Sequence, residues 1–161
     1  MFNSPSTHPD SLLTASKIET MVDKAQELGR KYFSVTDNGY LTGTLKAYEY
    51  CLKEDKKKGK YPIKPVLGVE VYFYDNECHD STKIGAKYYK ICLHATTHEN
   101  WRILVKKCSD FTDGKTITIN DHHYPLFTWK RLQECSDAGI LLTSSATDDL
   151  VSKNLILGRL E

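Results

Sequence analysis

Apolar residues in the first part of the chain are spaced first as in a helix and then as in a strand. A helix is predicted by residues three and four positions apart: Ile18, Met21, Val22, Ala25 and Leu28. Ser16 and Glu19 have the spacing of a capping box at its start, and Gly29 stands where a helix-ending glycine is expected. A β-prone run at 32–36 follows and leads into a polar turn at 37–39.

A second helix is predicted by Leu41, Leu45, Tyr48 and Leu52, which the spacing places together on an apolar face. The charged stretch that ends it, residues 54–60 (EDKKKGK), is the only dense basic run in the sequence. We interpret this stretch as a solvated loop, with contact to phosphate as the alternative.

The rest of the chain continues to alternate between apolar runs and helical spacing. Strands are predicted at 66–74, 87–95 and 140–144, and helices at 99–111, 128–135 and 148–161; residues 116–124 form a hairpin or a loop. Because the strands are continuous apolar runs separated by helices, the pattern predicts a parallel α/β architecture, either open or barrel-shaped. The last helical pattern has no glycine or proline after it, so we expect the chain to be part of a longer protein.

Composition narrows the class of protein. The 161 residues suffice for one ordinary domain, and 40% hydrophobic residues with a net charge of +1 argue against intrinsic disorder. No apolar run reaches the roughly 18 residues of a membrane helix, and we see no signal peptide. The balanced charge gives no global attraction to nucleic acid, so any such contact would need a local patch.

The cysteines predict neither a zinc ribbon nor a disulfide framework. Five of them are scattered along the chain without any CxxC pair. We expect reduced thiols, most of them on apolar faces, as in a cytoplasmic protein.

Polar residues at the ends of the predicted strands are the candidates for chemistry. Ligands of parallel α/β folds bind at the carboxyl ends of the strands, where Asp37, Glu70 and Lys90 occur. A carboxylate inside an apolar strand must be paired or coordinated, because burying it alone costs several kcal/mol. Glu70 is therefore the most informative residue, with the alternative that it points out of the sheet to solvent.

Several segments, in order, resemble the PHP (polymerase and histidinol phosphatase) domain at the N-terminus of bacterial family C DNA polymerases, the DNA polymerase III alpha subunits. The segments are 11–13 (SLL), 25–29 (AQELG), 35–43 (VTDNGYLTG), 64–72 (KPVLGVEVY), 89–95 (YKICLHA), 99–106 (ENWRILVK) and 139–145 (GILLTSS). They span nearly the whole chain. The resemblance implies a distorted (β/α)7-type barrel, and we expect a partial one because family members are longer. Active members of the PHP family are expected to hold several divalent metal ions and to use them in the hydrolysis of phosphoesters.

The sequence departs from the family pattern at most metal-ligand positions. Neither histidine of the first H-x-H motif is present at 5–7, although a one-residue deletion would bring His8 onto the second of them. Asn38 and Lys90 replace family histidines, and Ala146 occupies the late cysteine or histidine position.

Asp37 and Glu70 remain at ligand positions, with His8 as a third remnant. These are too few for a multinuclear site. A lysine can supply the positive charge that a metal otherwise provides, so we hypothesise that Lys90 pairs with Glu70 or Asp37 and replaces the metals. We expect no cofactor, with a single Mn, Zn or Mg ion as the alternative.

The resemblance leads us to expect that residues 1–161 are a PHP domain, or its N-terminal part, with a mainly structural role in a DNA-directed DNA polymerase. The chain alone is expected to be catalytically inactive. Its expected partners are the thumb and palm of the same polymerase and a sliding clamp or proofreading subunit, and it is expected to contact DNA only indirectly. The expected location is the cytoplasm of a bacterium or of a phage-infected host. The substitutions suit a phage-encoded polymerase. The alternatives are a phosphoesterase or 3′–5′ exonuclease with a reduced metal set, and a stand-alone viral protein that binds a replication component.

Overall fold

Four helices and six strands make up the described parts of the chain, which in this computed structural model are residues 17–54, 61–74, 88–109, 116–119 and 121–145. The chain divides into two units, Met1–Val69 and Glu70–Glu161, and each is described by itself. None of the described helices combines the length and the apolar character needed to cross a membrane.

The first unit contains α1 (Ile18–Glu27), β1 (Tyr32–Asn38), α2 (Thr42–Cys51) and the beginning of β2 (Lys64–Tyr74), and β1 pairs with β2. Its core is apolar and is formed by residues from α1, β1 and α2 and from the approach to β2: Ile18, Val22, Phe33, Val35, Ala47, Cys51 and Ile63. The predicted turn at 37–39 begins later than expected, because Asp37 and Asn38 are the last residues of β1.

Helix α1 ends as the sequence predicts but does not begin as predicted. Gly29 has a φ of 66°, and the N–H groups of Gly29 and Arg30 donate to the carbonyls of Gln26 and Ala25, which is the Schellman ending. Ser16, the first residue of the predicted capping box, lies outside the described residues. The N-cap is Lys17, without a side-chain cap, and the Glu19 carboxylate pairs with Lys46 instead, at 2.9 Å.

Helix α2 buries a different face from the predicted one. Thr44, Ala47 and Cys51 are fully buried, whereas Leu45, Tyr48 and Leu52 are 65%, 43% and 46% exposed. Both faces have helical spacing, so spacing alone could not choose between them. The smaller residues pack inward because they let the helix lie close to β1, which it contacts. The exposed stripe of Leu45, Tyr48 and Leu52 is an unusual surface for a helix.

The second unit adds four strands: β3 (Tyr89–Ala95), β4 (Thr116–Ile119), β5 (His122–Thr128) and β6 (Leu141–Ser144). Together with β2 they form a sheet with the strand order β4-β5-β2-β3-β6. β5 runs parallel to β2, with Tyr72 opposite Leu126, but β3 with β6 and β4 with β5 are antiparallel. The prediction of a purely parallel sheet is therefore wrong. Of the two alternatives for 116–124, the hairpin is present and the loop is not; only two residues separate β4 from β5 in sequence, and so short a connection can join only antiparallel strands.

Two helices of the second unit, α3 (His98–Ser109) and α4 (Trp129–Asp137), pack against β3, β5 and β6. The core between helices and strands includes Phe73, Leu93, Leu104, Phe127 and Leu132. Successive residues of a strand face opposite ways. The face of the sheet opposite Phe73 and Leu93 therefore carries the alternate positions of β2 and β3: Glu70, Tyr72, Lys90 and His94.

The cysteines of the described residues are free thiols, as the sequence predicts. Cys51, Cys92, Cys108 and Cys135 are all buried.

Candidate functional site

An ion pair joins the middle of β2 to the beginning of β3. Lys90 Nζ lies 3.2 Å from Glu70 Oε2, and the two side chains are only 23% and 14% exposed. The same Nζ lies 5.5 Å from the centroid of the Tyr72 ring, which gives the ammonium an aromatic face beside its carboxylate. The pairing with Glu70 that we expected for Lys90 is therefore present.

The second oxygen of Glu70 is also engaged. The Ser145 hydroxyl, just after β6, donates a hydrogen bond to Glu70 Oε1. A cation thus holds one carboxylate oxygen and a hydroxyl holds the other, which fixes the carboxylate in orientation. The alternative that Glu70 points out to solvent is wrong. Sequence reasoning did not find Ser145, because it lies 75 residues from Glu70 along the chain.

Asp37 has a structural partner in the first unit. Its side chain is fully buried at the end of β1, and Oδ2 accepts the backbone N–H of Gly43 at 2.7 Å. Gly43 lies in the first turn of α2, whose N-cap residue Leu41 contributes no side-chain hydrogen bond. Asp37 therefore caps α2 from a neighbouring strand, and its negative charge faces the positive end of the helix. This role follows from the fold and was not predicted from the sequence.

The remaining predicted site residues do not add a ligand cluster to the described structure. Asn38 ends β1 and is half-buried, while His8 and Ala146 lie outside the described residues. Within the described ranges, no three His, Cys, Asp or Glu side chains come together as a group that could hold a metal ion.

His94 is a titratable group outside the predicted site. Its Nε2 lies 3.1 Å from the Thr143 hydroxyl, and its Nδ1 is buried with no hydrogen-bond partner among the described residues. Burial lowers the pKa of His94 below its ordinary value of 6.5, because the charged imidazolium loses hydration there.

A pH-dependent stability follows from His94. Because its pKa is lower in the folded chain than in the unfolded chain, the unfolded chain binds the proton first as the pH falls. We expect the contribution of His94 to the free energy of unfolding to be highest above pH 6.5, to decline as the pH falls from 6.5 to the folded pKa, and to level off below it. Urea titrations between neutral and mildly acidic pH measure this. His94→Gln should flatten the decline, whereas His98→Gln, at an exposed position, should leave it unchanged. Equal slopes for wild type and His94→Gln would contradict this assignment.

A cleft of about 370 Å³ in the second unit lies between β2, β3, β6 and α4, and Lys90 is among its lining residues. Its walls include Phe73, Tyr89 and Trp129, whose rings lie near one another, with 5.7 Å between the Phe73 and Trp129 centroids. The described lining residues include no carboxylate, imidazole or thiol. The cleft therefore offers apolar contacts rather than metal ligands.

Comparison with known proteins decides the family. The family model of the PHP domain matches residues 7–159, almost the whole chain. This chain belongs to the PHP domain family. The resemblance seen in the sequence motifs is thereby confirmed, and the mixed α/β architecture of this PHP domain is consistent with part of such a barrel, while the full (β/α)7 arrangement stays a prediction.

Relatives of this PHP domain are DNA polymerase III alpha subunits. The protein of that name from Helicobacter pylori (strain ATCC 700392 / 26695) is 29% identical over 141 residues, covering 88% of this chain and 10% of the relative. The one from Borreliella burgdorferi is 27% identical over 150 residues, covering 91% and 12%. The DNA polymerase III alpha subunit of Aquifex aeolicus matches a shorter part of the chain and is 42% identical over 59 residues. The chain spans about a tenth of the length of the first two relatives.

Proposed function

We propose that this PHP domain is a structural part of a family C DNA polymerase, acting in the cytoplasm of a bacterium or a phage-infected host, and that the Lys90–Glu70 ion pair takes the place of metal ions. The observation that carries the proposal is the complete engagement of Glu70, with Lys90 on one oxygen and Ser145 on the other. The substitution of Lys90 for a histidine of the family pattern supports the proposal.

The donor chemistry of the site disfavours a divalent ion. A metal that binds Glu70 would lie within a few ångströms of the Lys90 ammonium, and like charges at that separation repel by several kcal/mol in a partly buried site. Asn38 cannot offer the imidazole that the family pattern has there. The residues present therefore do not fit a multinuclear centre, and we derive no hydrolytic step for this chain.

The exposed apolar stripe of α2 supports a structural role. Leu45, Tyr48 and Leu52 lie three and four residues apart, and each is 43–65% exposed. An apolar helix face of this kind is usually covered by further protein. Since the relatives are about ten times longer than the chain that they match, we propose that the remainder of the polymerase, its thumb and palm, packs near this domain. Contacts with a sliding clamp, a proofreading subunit or DNA stay predictions.

Metal content and metal-dependent stability test the proposal. We expect the purified chain to contain no stoichiometric Mn, Zn or Mg, and its Tm to stay unchanged when each ion is added, because ligands that bind the folded state raise Tm. The variant Asn38→His/Lys90→His restores histidines at two metal-ligand positions of the family pattern. Metal binding is measured for this variant in the same way. A matched control, Lys130→His, places the same new side chain on the exposed surface of α4.

One bound metal per wild-type chain with a clear rise in Tm would contradict the proposal and favour the phosphoesterase or exonuclease alternative. Hydrolysis of bis-p-nitrophenyl phosphate by the wild-type chain, lost on adding EDTA, would do the same.

A further inference from the structure

Three chain segments meet at the end of the first unit that lies opposite Asp37. The residues after α1, the residues after α2 and the residues before β2 are tied together by hydrogen bonds. Lys64 N–H donates to the Lys31 carbonyl at 2.9 Å, Ile63 N–H donates to the Cys51 carbonyl at 2.9 Å, and the Tyr61 hydroxyl donates to the Gln26 carbonyl at 2.8 Å. These bonds fix the segments as a single surface.

This surface, which we call the basic–aromatic patch, interleaves cations with tyrosine rings. It consists of Arg30, Lys31, Tyr32, Lys53, Tyr61 and Lys64. Tyr32 and Tyr61 are 47% and 42% exposed, which is unusual for large rings, and all the basic residues are exposed as well. Lys64 Nζ lies 5.9 Å from the centroid of the Tyr32 ring, so a cation and an aromatic ring are presented together.

The patch carries an excess of positive charge. Among the described residues at this end of the unit, the carboxylates on the same segments are Glu27 and Glu54, and Glu27 is already paired with Lys24 at 2.8 Å. The whole chain has a net charge of only +1, so the excess at this end is local. Such a local patch is what nucleic-acid contact would need in a chain without a strong overall charge.

We propose that the basic–aromatic patch binds single-stranded nucleic acid, with phosphates on Lys31, Lys64 and their neighbours and bases stacked on Tyr32 and Tyr61. Grooves for single strands combine backbone-tracking cations with aromatic rings that stack on unpaired bases. A duplex or an acidic peptide would use the cations and leave the rings without a role. The exposed tyrosines therefore favour the single strand.

The patch is separate from the candidate site at Asp37. The strand β1 begins at Tyr32 and ends beyond Asp37, and at about 3.3 Å per residue these two positions lie roughly 17 Å apart along the strand. Binding at the patch therefore does not depend on metal or hydrolytic chemistry at the strand ends, and its test is independent of the test of the proposed function.

The experiment measures binding of a fluorescent oligothymidylate to the full chain by anisotropy at several salt concentrations. For Lys31→Gln/Lys64→Gln we expect clearly weaker binding at low salt and a slope of log K against log salt that is smaller by about 1.4, since each phosphate contact on a single strand contributes about 0.7. Tyr32→Ser should weaken binding about tenfold through lost stacking, whereas Tyr32→Phe should retain it.

A matched control removes the same charge elsewhere. Lys106→Gln/Lys130→Gln changes two exposed lysines of the second unit and should leave the affinity and the salt slope nearly unchanged. All variants keep the lysines of residues 56–60, and a thermal melt checks that each is folded. The proposal is overturned if the control loses as much affinity as Lys31→Gln/Lys64→Gln. It is also overturned if poly-glutamate or duplex DNA binds as tightly as the oligothymidylate and Tyr32→Ser has no effect.

Discussion

Replacing Lys90 with methionine should lower the free energy of unfolding of the second unit by about 2 kcal/mol. Met keeps most of the aliphatic length of lysine but removes the ammonium that lies 3.2 Å from Glu70 Oε2. Glu70 is only 14% exposed, so water can compensate little for the lost cation. Ser145 alone would then hold the carboxylate. Urea unfolding followed by tryptophan fluorescence measures the effect, because Trp101 and Trp129 both lie in the second unit.

A double-mutant cycle isolates the ion pair from the packing of the lysine stem. Glu70→Gln/Lys90→Met removes both charges and should recover most of the stability that Lys90→Met loses, since no uncompensated charge is left. The exposed pair Lys24–Glu27 of the first unit gives the comparison, because Lys24→Met, followed by far-UV circular dichroism, should cost well under 1 kcal/mol. If Lys90→Met lowers the free energy of unfolding no more than Lys24→Met does, the Lys90–Glu70 pair does not organise the site.

Asp37→Ala should lower the free energy of unfolding of the first unit by about 2 kcal/mol, even with EDTA present. The fully buried carboxylate would no longer accept the Gly43 N–H, which it now binds at 2.7 Å, and α2 would lose its cap. Asp37→Asn keeps an acceptor oxygen and should cost less, since only the charge facing the helix end is removed. Urea unfolding monitored by far-UV circular dichroism measures both changes, with Glu49→Gln on the exposed side of α2 as control.

The sign of the Asp37→Ala effect separates two explanations of this residue. If Asp37 served only as a metal ligand, removing it from a metal-free chain would relieve a buried charge and leave stability unchanged or higher. If it caps α2, removal lowers stability with or without metal. Stabilisation by Asp37→Ala in EDTA would therefore refute the capping role.

Local patterns predicted the elements of this fold better than the way they pack. The spacing of apolar residues located α1, α3 and α4, and a single apolar run located β2, because these signals depend on residues close together in sequence. The buried face of α2 was predicted wrongly because two faces share the same spacing. The direction of β6 relative to β3 depends on residues about 50 positions apart, which no local pattern contains.

The candidate site was predictable only in part, for a similar reason. A carboxylate within an apolar strand requires a partner, and Lys90 offered a charge of the right sign, so the Glu70–Lys90 contact could be expected. The roles of Ser145 and Gly43 could not, because both depend on contacts that only the folded chain brings about. Sequence also presented Asp37 as a remnant ligand, whereas the fold gives it a partner in α2.

The buried cysteines make the two units separately observable by chemistry. Cys51 lies in the first unit, and Cys108 lies in the second. Burial raises the pKa of the Cys51 thiol to about 11 and that of Cys108 to about 12, so almost no reactive thiolate exists at these two positions at neutral pH while the surrounding structure is folded. Alkylation of either thiol requires the structure around it to open. The rates at which iodoacetamide modifies Cys51 and Cys108 therefore report how often the surroundings of each thiol open.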